Sequence, residues 1–148
     1  MNAIICIGCS ASGKSTYADS LGKDWFKLER DVCRRALIQL KYGVYTGNMW
    51  SKWDSVLEPR VNDFIDEQLK YAASNKLNII CSDTNVSFKS RDKMVKALTE
   101  LGYSITYKYF DVDIEELIER DANRIDSVGA NVIQRQFDML SRIDRRTI

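Results

Sequence analysis

The sequence predicts an α/β domain: a mostly parallel four-stranded sheet in three layers, flanked by helices, with a helical lid near the C-terminal end. Two observations carry that prediction. Four short apolar runs (Asn2 to Ile7, Trp25 to Leu28, Leu77 to Cys81 and Tyr103 to Phe110) alternate with longer stretches of helical periodicity, as crossover-connected parallel strands require. The first run passes directly into Gly8-Cys9-Ser10-Ala11-Ser12-Gly13-Lys14-Ser15-Thr16, which reads G-x-x-x-x-G-K-S and opens an amphipathic helix.

That loop is a phosphate cradle in its expected context. Asn2 to Ile7 is continuously β-prone, as a strand buried on both faces must be. Gly8 and Gly13 let backbone N–H groups approach an anion, and the helix starting near Lys14 or Ser15 adds its positive end. Lys14 is placed to reach the β- and γ-phosphates and the Ser15 hydroxyl to ligate Mg²⁺. An accidental glycine-rich turn would not be expected to keep strand, loop, Lys-Ser and helix in register. Residues 8–16 are therefore expected to bind a nucleoside triphosphate, and the loop alone does not say what is done with it.

Composition narrows the chemistry. The 148 residues make one domain, 45% hydrophobic and 29% charged. Lys plus Arg is 22 against 21 for Asp plus Glu, so no overall field draws in nucleic acid, and a polyanion must be held by locally placed basic groups. There is no histidine, which removes Ser-His-Asp and Cys-His catalysis and leaves carboxylates, Lys and Arg. With no leader pattern and no membrane-length apolar run, the expected location is cytoplasmic, or the host cytoplasm if the chain is viral. Four cysteines fit a reducing compartment; Cys6-x-x-Cys9 lacks the second pair of a zinc site, so Cys6 is expected in the core and Cys9 on the loop, open to oxidation.

The remaining elements follow in order. Ser15 to Leu21 is a short helix ending at Gly22. Strand Trp25 to Leu28 delivers Glu29-Arg30-Asp31 to the ligand edge of the sheet. A helix from about Asp31 to Lys41 sets Arg34 one turn on from Asp31. Asp31 as an N-cap paired with Arg34 is one reading; beside a P-loop strand, the other has Asp31 orienting or deprotonating an acceptor hydroxyl and Arg34 holding an acceptor anion. From Tyr42 to Trp53 aromatic and basic residues interleave; Trp50 and Trp53 either stack bases or, the favoured reading, pack a helix onto the core. Helix resumes to Ser74, with Pro59 in its first turn and Leu57, Val61, Phe64, Ile65, Leu69 and Ala72 as the buried stripe.

Leu77 to Cys81 runs into Ser82-Asp83-Thr84-Asn85, where Asp83 is either an Mg²⁺-holding acid or part of an Asx turn. Helix Phe88 to Leu101 precedes the fourth strand. Asp113 with Glu116 reads as a capping box, and Glu116 with Arg120 as a surface ion pair. The polar link from Ala122 to Gly129 is the candidate lid, with Arg124 its arginine, before a last helix from about Ala130 to Arg142.

Taken together, Gly8 to Thr16, Arg30-Asp31 with Arg34, Ser82 to Asn85 and the R-x-x-x-R of Arg120 and Arg124 resemble the 5′-kinase domain of the bacteriophage polynucleotide kinase-phosphatase family, over nearly the whole chain. The resemblance implies ATP as donor, bound by residues 8–16 with Arg120 and Arg124, and Mg²⁺ held with Ser15 and Asp83. It implies Asp31 as general base on a 5′-hydroxyl of DNA or RNA, and Arg34 on the acceptor's 3′-phosphate. Asp83 and Thr84 would shape the site, Arg124 would bridge the phosphates and Val128 would lie against the acceptor base. The family enzyme also has a phosphatase domain, which is not expected within these 148 residues, and Gly129 stands where the family has proline. A role in nucleic-acid end healing is the leading expectation. A small-molecule kinase shares the P-loop, Asp31 and lid, and a nucleotide-binding switch shares the P-loop.

Overall fold

The computed structural model describes residues 1–147. Strands β1 (Asn2–Gly8), β2 (Trp25–Leu28), β3 (Asn78–Cys81) and β4 (Ser104–Phe110) form one sheet in the order β2-β3-β1-β4. Every pairing is parallel, so the mostly parallel sheet expected is wholly so. Register decides what projects from it: Ile5 faces Cys81, while Cys6 to Gly8 run on past β3 beside Lys108 to Phe110. The carbonyl of Thr84 closes that overhang by accepting from Gly8 N at 3.0 Å. The P-loop, Asp83 and Thr84 therefore share one edge, where the chain leaves β1 for the far side of β3 and only later returns to build β4.

Alternation along β1 separates two layers of packing. Cys6 and Ile80 meet the short α1 (Lys14–Asp19) through Ala18, with Tyr17, Trp25 and Phe110 around them. Ala3, Ile5 and Ile7 face the larger core, shared with α3 (Glu58–Ser74), α4 (Phe88–Glu100), α5 (Ile114–Ala122) and α6 (Ala130–Ser141). On α3 the stripe is Val61, Ile65, Leu69 and Ala72, and each of its larger members contributes about 1.5–3 kcal/mol by leaving water. Phe64, expected in that stripe, is 46% exposed because it falls a quarter-turn off it. Pro59 sits in the first turn, as expected.

Other expectations are corrected. The second helix, α2 (Arg30–Tyr42), starts at Arg30, so Asp31 lies within its first turn and is not its N-cap. Trp50 and Trp53 share no helix. Met49–Ser51 is a single 3₁₀ turn whose Met49 is fully buried, while Trp50 faces the cleft and Trp53 packs half-buried at the core margin. Asp113 caps α5 without a side-chain bond; Glu116 instead takes Arg120 at 2.7 Å, which is the expected ion pair. Cys9, expected to be open to oxidation, is fully buried, as are the other three thiols. No helix among the described residues is long and apolar enough to cross a membrane.

Candidate active site

The loop after β1 is shaped by two glycines for different reasons. A Cβ on Gly8 would lie 2.8 Å from both Phe110 Cβ and Ser12 Oγ, so the site needs hydrogen for space. Gly13 has open space but φ +101°, so it needs glycine for conformation. Ala11 also takes positive φ, at 67°. Ser12 N donates to Cys9 O at 3.3 Å and Ser10 N to Gln136 Oε1 of α6 at 2.8 Å, which ties the loop to the last helix. The Lys14 ammonium is buried and donates to Cys9 O and, at 3.3 Å, to Ser12 Oγ. Burial pulls its pKa down to about 8, and the nearby Arg124 guanidinium lowers it further.

Three carboxylates gather beside this loop. Glu29, the last residue before α2, accepts from Ser15 Oγ at 3.1 and 3.2 Å. Asp83, just beyond β3, accepts from Arg30 N at 2.9 Å, and burial pushes its pKa up to about 6. Ser82 Oγ beside it is buried without a partner among the described residues. Asn85 lines the cleft but spends its amide on the backbone: at φ 49° it donates to Cys6 O at 2.9 Å and to Asp83 O at 3.1 Å. Asx-type bonding thus accounts for Asn85, while the carboxylate of Asp83 remains at the cleft.

The third carboxylate, Asp31, belongs to a network. Arg34 donates Nη1 to Asp31 at 2.7 Å and grips Glu58 in a fork, through Nε at 2.8 Å and Nη2 at 3.2 Å. Glu58 also takes Arg30 at 2.7 Å, and Arg30 reaches Asn62 at 2.9 Å. Burial works against the Glu58 carboxylate, but the two arginines outweigh it and hold its pKa below the usual range. The Arg34 guanidinium lies over Trp50 and Trp53, 5.3 and 5.8 Å from the ring centroids.

The lid is organised by a residue the sequence reading passed over. Asp121, 1% exposed at the end of α5, accepts from Arg124 Nη2 at 2.8 Å, Ser127 Oγ at 2.7 Å, Val128 N at 3.1 Å and Gly129 N at 2.9 Å. Burial raises its pKa, yet those four donors outweigh it and leave the carboxyl below its ordinary value. The far side of the loop is fastened to the segment before Met49: Asp126 takes Met49 N at 2.9 Å and the guanidinium of Arg35, and Asn48 donates to Ser127 O at 3.0 Å. Arg120 reaches the P-loop at Ala11 O, at 3.4 Å.

One cleft of about 1040 Å³ joins these parts. It is lined by Ser10 to Thr16, Asp31, Arg34, Asp83, Thr84, Arg120, Arg124 and Val128, so the structure brings together the residues singled out from sequence, apart from Gly8 and the buried Cys9. Glu29, Arg30, Trp50 and Glu58 line it too. Glu29 had a signal, a carboxylate at the C-terminal end of a strand beside a P-loop; Glu58, 24 residues from Arg34, had none.

A wholly parallel sheet with this loop, these carboxylates and an arginine-bearing lid defines a P-loop domain of the kinase type. The chain belongs to the AAA-domain family, whose pattern it matches over residues 4–144. It is 31% identical over 148 residues to a protein of Autographa californica nuclear polyhedrosis virus provisionally named a bifunctional polynucleotide kinase/RNA ligase; the match takes in 95% of this chain and 21% of the viral one. A chain of the Pnkp1/Rnl/Hen1 RNA repair complex superposes with a TM-score of 0.74 at 25% identity, over 95% of this chain and 44% of its own. The protein thus spans about a fifth and under half of these two relatives. A gluconokinase from Sinorhizobium meliloti 1021 shares the fold at 18% identity, with a TM-score of 0.60 over 98% of this chain and 79% of its own.

Proposed function

We propose that the protein transfers the γ-phosphoryl group of ATP to the 5′-hydroxyl end of DNA or RNA, as a step in healing broken nucleic-acid ends. The observation that carries this reading is the continuity of the cleft from Lys14 through Asp31 to Arg124 and Val128. Donor and acceptor would meet there under a fastened lid. The likeness to the viral polynucleotide kinase/RNA ligase and to the RNA repair complex supports a nucleic-acid acceptor over a small one.

The donor set fits Mg²⁺. Ser15 Oγ and the Glu29 carboxylate are already in contact, and the half-buried Asp83 carboxyl, raised in pKa, gains by a nearby cation. These are the hard oxygen ligands the ion prefers. Ser15 and Asp83, with Glu29, would hold the ion, which supplies charge neutralisation on the β- and γ-phosphates when bound.

The chain's own groups perform the rest. Lys14 leaves the Cys9 carbonyl for the phosphates and regains full charge there. Asp31 accepts the proton of the acceptor hydroxyl and holds its oxygen in line. Because phosphoryl transfer has a loose transition state, positioning and charge stabilisation by Lys14, Arg120 and Arg124 dominate over base strength. Three of the five N–H donors of Arg34 are engaged, by Asp31 and Glu58, so it fixes Asp31 and keeps one further N–H on each of Nη1 and Nη2 for an acceptor phosphate. Val128 lies against the acceptor base. The expected setting is a reducing cytoplasm, consistent with four buried free thiols.

The test is transfer of labelled γ-phosphate to 5′-hydroxyl DNA and RNA oligonucleotides beside 5′-phosphorylated controls. Label on the hydroxyl ends alone is expected. Asp31→Asn should lower that transfer at least a hundredfold while leaving ATP binding intact. Label on a small alcohol but on no oligonucleotide would replace the reading with a small-molecule kinase.

A further inference from the structure

The cleft does not stop at the reacting centre. Past Glu58 it continues between α3 and α4, over a floor of Ile65, Leu69, Met94 and Ala97, with Lys89 and Lys93 along the α4 rim. Its total volume of about 1040 Å³ lies at the upper end of the roughly 300–1,000 Å³ of ligand sites. A triphosphate seated on the P-loop occupies the opposite end.

We propose that this groove between α3 and α4 is a second acceptor site, holding the nucleotides downstream of the phosphorylated one as a single strand. The inference rests on the acceptor being a polynucleotide. Lys89 and Lys93 lie one turn apart on one face of α4, about 6 Å along its axis, so they can meet successive phosphates. Neither has an ion-pair partner among the described residues, whereas Lys96, outside the groove on the same helix, is paired with Asp92 at 2.8 Å. Two unpaired cations over an apolar floor match a strand that carries its charge on one edge and apolar base faces on the other. Asp66, on the α3 wall, repels phosphate and so directs the backbone to the α4 side. From Lys89 to Ala97 the groove follows α4 for about 12 Å along its axis, which bounds how many nucleotides it can hold.

The experiment measures kcat/KM for 5′-hydroxyl acceptors of increasing length, from a 3′-phosphorylated nucleoside to a tetranucleotide, over a range of KCl. Wild type, Lys89→Ala/Lys93→Ala and the control Lys96→Ala are compared. In wild type kcat/KM should rise with each of the first added nucleotides and then level off. Removing two single-strand phosphate contacts should flatten the log–log salt slope for the tetranucleotide by about 1.4. The double variant should also cut the ratio of tetranucleotide to nucleoside kcat/KM several-fold, mainly through KM, and Lys96→Ala should do neither. Transfer that proceeds with the slope and ratio unchanged in the double variant overturns the groove while leaving the kinase standing. No transfer to any oligonucleotide, with transfer to the nucleoside intact, overturns the polynucleotide reading and the groove with it.

Discussion

Asp121→Asn separates a lid built by one carboxylate from a lid that merely lies near it. Oδ2 of Asp121 accepts from Ser127 Oγ and Gly129 N, while Oδ1 accepts from Arg124 and Val128 N. An amide keeps one accepting oxygen and turns two donors onto the other pair. The Ser127 hydroxyl can rotate to accept, but Gly129 N cannot, and a stranded buried donor costs about 1–3 kcal/mol. The Arg124 pair adds only about 1 kcal/mol, because that side chain is 37% exposed and water screens it. The sum is about 2–4 kcal/mol.

If the whole penalty reached global unfolding, a chain of this length would lose about 6–13 °C in melting temperature. If the lid opens by itself, amide exchange over residues 124–129 should accelerate about 30- to 900-fold. In either case kcat should fall more than the KM for ATP, because Arg124 serves the transition state and Asp121 only aims it. The pH dependence has a definite sign. A carboxyl depressed in the fold stabilises fully above its ordinary range and loses that effect as pH falls through its folded value, so the variant should lack this acid limb. A variant that melts within a degree of wild type and exchanges residues 124–129 at the same rate would refute the reasoning.

Gly8→Ala and Gly13→Ala should fail differently. The first forces a Cβ against Phe110 and Ser12, so it should cost about 1–3 kcal/mol in stability with a displaced loop; the second meets no atom and should cost about 1–2 kcal/mol through φ alone, both read from thermal melts. Lys14 should take up a proton on ATP binding. With its pKa near 8 in the ligand-free protein, calorimetry at pH 8.5 in two buffers of different ionisation enthalpy should show a fraction of a proton absorbed, and no buffer dependence would contradict the burial argument.

The local pattern determined the fold class and the phosphate loop, because both depend on neighbours in sequence. Apolar runs of strand length separated by helical periods, and a G-x-x-x-x-G-K-S loop between a strand and a helix, carry their physics within a few residues. Strand ends told the same way, since a parallel sheet must place Asp31 and Asp83 at its carboxyl edge. Tertiary structure decided everything that depends on distant partners. Glu58 on Arg34, Gln136 on Ser10 and Asp126 on Met49 have no sequence signal, because each joins elements 24 to 126 residues apart. Trp50 was misplaced because an i, i+3 spacing looks the same in a helix and in a 3₁₀ turn beside a coil. Asp121 was missed because a carboxylate between two arginines in a helix reads as solvated charge. It becomes the anchor of the lid only once α5 and α6 pack together and exclude water from around it, leaving its oxygens, among the described residues, to the four donors of the loop.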